Sequence, residues 1–171
     1  GGDWAQDRIV VDCVGSWSEG RSVEIRSPEA TRPWQHVLEP LSGYLNLGQA
    51  LCSDKDLNGE GLNFGPRAEQ NHTVIELLQD LSEYWHFENV SDAFTVTDNI
   101  PFHEAGLLKL NCDKSLALLE WQAVLDYRDT IKFTSEWYYD HYKKDSDMMA
   151  KTISQINEYQ NTAYEKSLSW A

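Results

Sequence analysis

Basic residues are scarce in this sequence of 171 residues. Only 14 Lys and Arg stand against 28 Asp and Glu, which gives a formal net charge of −14. A surface this acidic repels phosphate backbones and anionic lipids, so we expect neither nucleic acid nor membrane among the partners. An anionic ligand can bind only where a few cations are grouped locally. Each Arg is therefore a candidate for such a contact.

Cysteine is scarce too, and long apolar runs are missing. Cys13, Cys52 and Cys112 are widely spaced and show no Cys or His spacing typical of a metal site. No apolar run approaches the ~20 residues of a membrane span, and no signal peptide opens the chain. These features predict buried free thiols, no bound metal and a cytoplasmic protein.

Complete catalytic motifs are also lacking. Tyr139 and Lys143 match the Tyr-x-x-x-Lys spacing of short-chain dehydrogenases, but no dinucleotide-binding strand and turn precede them. The glycines of segment 59–65 are followed by Pro66, whereas a phosphate-binding loop must open a helix. We therefore expect no catalytic residue and no cofactor-binding loop within these 171 residues.

Helical periodicity is what the sequence contains most clearly. Six segments repeat apolar residues at helical spacing: residues 9–17, 37–51, 74–85, 113–119, 126–142 and 146–163. Thr73 and Glu76 form a capping box at the start of the third of these segments. Four short segments have the character of strands: residues 22–26, 62–65, 93–97 and 107–110. The pattern predicts a helix-rich α/β unit with a small sheet, and since no Pro/Gly-rich linker interrupts it, one compact lobe over residues 1–171.

Four motifs, in chain order, carry a resemblance to a known family. They are the segment from Gly1 to Asp12, the run Thr31-Arg-Pro-Trp-Gln-His-Val-Leu-Glu-Pro-Leu-Ser-Gly-Tyr44, the segment Asn63-Phe-Gly-Pro66, and His103-Glu-Ala105 with Leu108-Lys-Leu110. In these motifs the chain resembles the C-terminal half of CDP-glucose 4,6-dehydratases. The Arg-Pro-Trp-Gln-His sequence favours a CDP sugar over a dTDP sugar.

The resemblance implies both a fold and an activity. The fold is the substrate-binding lobe of an extended short-chain dehydrogenase, whose N-terminal Rossmann domain binds NAD, carries the catalytic groups and is absent from these residues. The activity is the conversion of CDP-glucose to CDP-4-dehydro-6-deoxyglucose and water by NAD-mediated internal redox. This is a step towards the deoxysugars of cell-surface polysaccharides such as lipopolysaccharide O-antigen. The expected partners are the CDP-sugar substrate, the protein's own Rossmann domain and, in a full-length homo-oligomer, further copies.

The diphosphate of such a substrate favours Arg, whose planar guanidinium can donate two parallel hydrogen bonds to it. Arg32 is the first candidate because it lies just before a predicted helix N-terminus, and Arg8 on the first helix is the second. Gln35 offers a donor and an acceptor to a base or a ribose. The other expected substrate contacts are Trp34, His36, Asn63, His103 and Glu104.

Other interpretations stay open at this point. The lobe can belong to another nucleotide-sugar epimerase or dehydratase, acting on a dTDP or UDP sugar, or it can be a non-catalytic binding or oligomerisation module. Single residues have structural alternatives as well. Arg32 can form an ion pair with one of the many carboxylates, and Trp34 can serve packing alone.

Overall fold

The structure is a computed structural model that describes residues 4–5, 7–53, 56–97 and 107–171. The helices in these ranges are α1 (Ile9–Ser18), α2 (Leu38–Cys52), α3 (Val74–Glu83), α4 (Val90–Ala93), α5 (Asp113–Leu119), α6 (Tyr127–Lys143) and α7 (Met148–Glu165). The strands are β1 (Val23–Ile25), β2 (Thr31–Arg32), β3 (His72–Thr73) and β4 (Phe94–Val96). The predicted helix-rich chain with little sheet is thus confirmed. None of the helices within these ranges is long and apolar enough to cross a membrane.

The strands form two small sheets. β1 pairs in parallel with β4, and β2 pairs antiparallel with β3. The strands predicted at 22–26 and 93–97 are confirmed, whereas the one predicted at 62–65 is wrong, because that segment has no strand partner. Of the strand predicted at 107–110, only an isolated bridge from Leu107 to Thr31 forms.

Contacts divide the chain into two compact units. Unit 1 comprises the described residues within 1–32, 72–108 and 131–152. Unit 2 comprises those within 33–71, 109–130 and 153–171. The expectation of a single substrate-binding lobe over residues 1–171 stays a prediction.

The core of unit 1 is built around Trp17 of α1. Its indole Nε1–H donates to the carbonyl oxygen of Ala93 at 2.7 Å, and its ring centroid lies 5.7 Å from that of Trp85 and 5.6 Å from that of Phe87. The predicted apolar stripe of α1 is buried here, and so are the central leucines of α3. The capping box of Thr73 and Glu76 forms as the sequence predicts. Periodicity therefore identified both helices and the faces that they bury.

The core of unit 2 is a cluster of buried apolar residues, namely Ala50, Leu57, Phe64, Leu119, Trp121 and Ala123. Helix α2 belongs to this unit and buries Glu39, Gly43 and Ala50, while its half-buried Leu47 also packs against the cluster. The apolar residues that predicted α2 from the sequence lie on its other side and are exposed. Periodicity therefore located this helix without indicating which of its faces is buried.

The three cysteines are free, as predicted, but only Cys13 is fully buried. Burial, with the nearby charge of Asp12, raises the pKa of the Cys13 thiol to about 12. Cys112 is half-buried, and Cys52 at the end of α2 is exposed. The prediction that all three thiols are buried is wrong for Cys52, which lies on the last turn of a helix that exposes much of its surface.

Candidate functional site

Arg32 belongs to strand β2 in unit 1, where it is half-buried. Its Nη1 donates to the carbonyl oxygen of Thr31 at 2.9 Å. The expectation that Arg32 lies just before a helix N-terminus is wrong, because α2 begins only at Leu38. Since a residue before proline is disfavoured in helical conformation, Pro33 accounts for the extended backbone of Arg32.

Arg8 lies at the N-cap position of α1 in unit 1 rather than inside the helix. Its backbone is extended, its side chain is exposed, and it makes no capping hydrogen bond. Ser, Thr, Asp and Asn are the preferred residues at this position, because their side chains accept from the unpaired N–H groups of the first turn. A cation there also faces the positive end of the helix dipole. The arrangement therefore favours an anion at the start of α1.

Other long helices of the described part carry side-chain acceptors at their first turns. Asp147 Oδ1 accepts from the backbone N–H groups of Met149 and Ala150 at 2.9 and 3.1 Å in α7. Thr73 Oγ1 accepts from the N–H of Glu76 at 3.2 Å in α3. The start of α1 contrasts with both, since its N-cap residue is a cation whose side chain makes no capping hydrogen bond.

Gln35 and His36 lie in unit 2, directly before α2. The Nε2 of Gln35 donates to the carbonyl oxygen of Phe64 at 3.1 Å, while its buried Oε1 has no hydrogen-bond partner among the described residues. His36 is buried, and burial lowers the pKa of its imidazole to about 4. The neutral ring accepts at Nδ1 from the N–H of Leu38 at 3.4 Å. His36 therefore caps α2, a role that the sequence did not indicate, whereas the adjacent Trp34 is half-buried.

Asn63 lies close to Gln35 in unit 2, because Gln35 bonds the neighbouring residue Phe64. The Nδ2 of Asn63 donates to the carbonyl oxygen of Asn111 at 3.0 Å, and its own carbonyl oxygen accepts from the hydroxyl of Ser115. The backbone of 63–64 thus bonds side chains instead of a neighbouring strand, which explains why the strand predicted here is wrong. His103 and Glu104 lie outside the described residues.

Glu39 is the buried carboxylate of unit 2, and it was not among the residues predicted from the sequence. Its oxygens accept from the backbone N–H of Val124 at 3.1 and 3.0 Å, from the N–H of Leu125 at 2.7 Å and from the hydroxyl of Tyr159 at 3.0 Å. Burial raises the pKa of Glu39, while these hydrogen bonds and the charge of Lys166 oppose the rise. The signal available in the sequence was an acid on the side of α2 opposite its apolar residues.

Two clefts open on unit 2. One, of about 690 Å³, is lined by residues that include Arg67, Gln70 and Lys166, and the other, of about 610 Å³, includes Arg67 and Lys109. The basic groups do not stand alone, since Glu120 and Asp126 also line the first cleft and Glu69 and Asp113 the second. The predicted substrate contacts Gln35, His36 and Asn63 line neither cleft.

Tyr139 and Lys143, which match the dehydrogenase spacing, pack within unit 1. The Nζ of Lys143 donates to the carbonyl oxygen of Ser18 at 3.2 Å and lies 5.7 Å from the ring centroid of Trp85. The ring of Tyr139 contacts those of Trp85 and His86. These contacts give both side chains a packing role. Within the described ranges, His, Cys, Asp and Glu side chains do not gather into a group of three that could hold a metal ion.

Comparison with known proteins identifies one relative that is much longer than this chain. No family model matches the chain. The CDP-glucose 4,6-dehydratase of Salmonella typhimurium is 37% identical to it over 161 residues, which make up 93% of this chain and 43% of that protein. The chain therefore spans less than half the length of this curated relative. The similarity confirms the resemblance that the motifs indicated: the chain is a relative of part of a CDP-glucose 4,6-dehydratase.

Proposed function

We propose that this chain is the substrate-binding portion of a CDP-glucose 4,6-dehydratase, equivalent to the C-terminal part of that enzyme. The full-length enzyme would convert CDP-glucose to CDP-4-dehydro-6-deoxyglucose and water by NAD-mediated internal redox. The observation that carries this proposal is the 37% identity to the Salmonella enzyme along 93% of the chain. An isolated motif can recur by chance, whereas similarity over nearly a whole chain does not.

The residues described here do not fit the NAD of that reaction. A dinucleotide needs free backbone N–H groups at a helix start that follows a strand and a glycine-rich turn. Residues 59–65 contain glycines, but no helix follows them before α3. At α3 the side chains of Thr73 and Glu76 already occupy the capping positions. The proposal therefore assigns NAD and the catalytic groups to a Rossmann-type N-terminal half of the longer protein.

The role left to this chain is to bind and orient the nucleotide sugar. Arg8 and Arg32 are the proposed contacts for its diphosphate, and both belong to unit 1. The chemistry of the α1 N-terminus supports Arg8, since an exposed guanidinium at the positive end of a helix dipole suits an anion. The proposed role of Arg32 is supported only by the family motif in which it lies. The contacts expected from Trp34, Gln35, His36, Asn63, His103 and Glu104 stay predictions.

Ligand competition on the full-length protein tests the proposal. CDP-glucose should raise the melting temperature more than dTDP-glucose or UDP-glucose at equal concentration, because binding to the native state alone stabilises it. Incubation with CDP-glucose should then yield a nucleotide sugar lighter by one water. Equal protection by the three sugars would remove the CDP assignment. An unchanged melting temperature with every sugar, and no product, would favour the non-catalytic module.

The setting and assembly of the full-length enzyme are part of the same proposal. We propose a cytoplasmic homo-oligomer. The free thiols of Cys13, Cys52 and Cys112 support a reducing compartment. Light scattering on the full-length protein would give its mass in solution, and a monomer at micromolar concentration would contradict the homo-oligomer.

A further inference from the structure

Helix α2 exposes a continuous apolar face, which we call the outer face of α2 and define as Val37, Leu41, Tyr44, Leu45 and Leu51. These side chains are between 43% and 76% exposed. Their spacing along the chain places them on one side of the helix. The face carries no charge, although the chain as a whole has a formal net charge of −14. Contiguous exposed apolar residues of this kind mark interaction surfaces.

The opposite side of α2 fixes this orientation. Glu39 is held by the backbone N–H groups of Val124 and Leu125, and turning the helix would withdraw the carboxylate from these donors. Gly43 lies against the ring of Phe64 so closely that a β-carbon there would overlap the ring. The helix therefore cannot rotate to bury its apolar residues within unit 2. Their exposure is a property of the packing around α2.

We infer that the outer face of α2 docks the remainder of the longer polypeptide, the half that holds the cofactor. This inference rests on the proposed function. Its first support is length, because the match covers only 43% of the Salmonella enzyme and more than half of that protein lies outside it. Under the proposed function, the same polypeptide therefore supplies a large partner for this face.

The second support is the position of the face along the chain. Val37, its first residue, directly follows Trp34, Gln35 and His36, which are expected substrate contacts. A substrate bound by this chain must also reach a cofactor held elsewhere, so the cofactor-binding half must approach those residues. A second copy of this chain has no such requirement. This adjacency along the chain favours the remainder of the polypeptide over a second copy as the occupant.

Cysteine labelling of the full-length protein tests the inference with a matched pair. Leu45 and Tyr164 are 76% and 79% exposed in this chain, so L45C and Y164C should react alike with a maleimide if nothing covers either. The variants are made in a background whose reactive native cysteines, Cys52 included, are replaced by Ser. We expect L45C to react roughly 100-fold more slowly in the native protein than in urea, because labelling then requires local opening. Y164C is the control, and its labelling rate in the native protein gives the rate expected for an exposed cysteine.

Two outcomes would overturn the inference. If native L45C reacts within a few-fold of its rate in urea, the face is open. If its protection is lost on dilution, in step with dissociation to monomers, the occupant is a second copy. CDP-glucose binding to the same variants separates the two proposals. If L45C is protected but the protein does not bind CDP-glucose, only the proposed function is contradicted. If L45C is reactive but the enzyme turns CDP-glucose over, only the docking surface is contradicted.

Discussion

The hydroxyl of Tyr159 in α7 donates to Oε2 of Glu39 in α2 at 3.0 Å, although 120 positions separate the two residues in the chain. The same hydroxyl lies 2.9 Å from Oγ of Ser42, which also accepts from the indole Nε1–H of Trp121 at 3.0 Å. Burial and the charge of Glu39 raise the pKa of Tyr159, so the phenol keeps the proton that it donates. A buried polar network of this kind holds together α2, α7 and the loop after α5.

Replacement of Glu39 by Ala should therefore destabilise the protein severely. The substitution leaves the N–H groups of Val124 and Leu125 buried without their acceptor and removes one of the two acceptors near the hydroxyl of Tyr159, which we expect to cost about 3 kcal/mol or more of unfolding free energy. E39Q retains an acceptor oxygen and should cost less. Urea unfolding of the full-length protein measures both. E165A, at an exposed position of α7, is the control and should change the unfolding free energy by less than about 0.5 kcal/mol. A loss in E39A no larger than that control would show that the network contributes little.

His36 should make stability depend on pH in the acidic range. Burial lowers its folded-state pKa to about 4 from the ordinary value of 6.5. The unfolded state therefore binds the proton first as pH falls, so stability is complete above pH 6.5 and is lost progressively towards pH 4. We expect a loss of up to about 3 kcal/mol over this range. The measurement compares urea unfolding of wild type and H36N from pH 7 to pH 4.5.

Surface histidines provide the control for the His36 prediction. H141N changes an exposed histidine of α6, so it should keep the wild-type dependence on pH, whereas H36N should lose much of it. Glu39 acts in the opposite sense, because its raised pKa adds stability below its unfolded value that is lost as pH rises. Parallel curves for wild type and H36N would mean that the imidazole is not held neutral by burial.

The sequence predicted unit 1 better than unit 2, and the reason is physical. Around Trp17 the apolar side of each helix is also its buried side, so periodicity indicates both the helix and its packing. Helix α2 reverses this relation, since it buries Glu39 and Gly43 and exposes Leu45. No local pattern reveals that donors from residues 124–125 meet the carboxylate. The same holds for segment 62–65, whose backbone is bonded by Gln35 and Ser115.

Gly43 should resist substitution because of its contact with Phe64. An added β-carbon would overlap the ring, which is buried and packs edge-on against Trp121 with centroids 5.0 Å apart. Since the ring has little room to move, we expect G43A to lose about 1–3 kcal/mol of unfolding free energy. G15A is the matched control, because Gly15 is also inside a helix and has nothing within 4 Å of an added β-carbon.

The control should change in the opposite direction. G15A should gain about 0.5–1 kcal/mol, since Ala is the better helix former. Urea unfolding of the two variants beside wild type gives the comparison. If G43A were as stable as G15A, the contact between α2 and Phe64 would have to be looser than the structure has it.

The substrate contacts were harder to predict than the helices. The motif around Arg32 indicated the family, and the similarity to the Salmonella enzyme confirms that resemblance. Arg32 nevertheless does not lie at a helix N-terminus, because Pro33 keeps its backbone extended and α2 begins only at Leu38. Arg8, and not Arg32, lies at the start of a helix. The sequence indicated this position of Arg8, since Ile9 is the first residue of the apolar stripe of α1.

Replacement of Arg8 by Ala should weaken substrate binding while leaving the fold intact. Arg8 is exposed, so its loss removes no packing, but the loss of a charge-assisted hydrogen bond to the diphosphate should cost about 1.5–3 kcal/mol of binding free energy. The KM for CDP-glucose of the full-length enzyme should rise by about tenfold to a hundredfold. R32A should raise the KM similarly if the family motif marks a second contact.

Arg21 supplies the matched control in unit 1. Its side chain is 66% exposed and pairs with Glu19, so R21A alters charge by the same amount without touching either proposed contact. We expect its KM to stay within about twofold of wild type, because exposed ion pairs contribute little. R8K should restore part of the affinity, since Lys keeps the charge but not the two parallel hydrogen bonds. If R8A raises the KM no more than R21A does, the diphosphate does not bind at the start of α1. If R8A and R32A both match the control, this chain holds the nucleotide sugar by other residues.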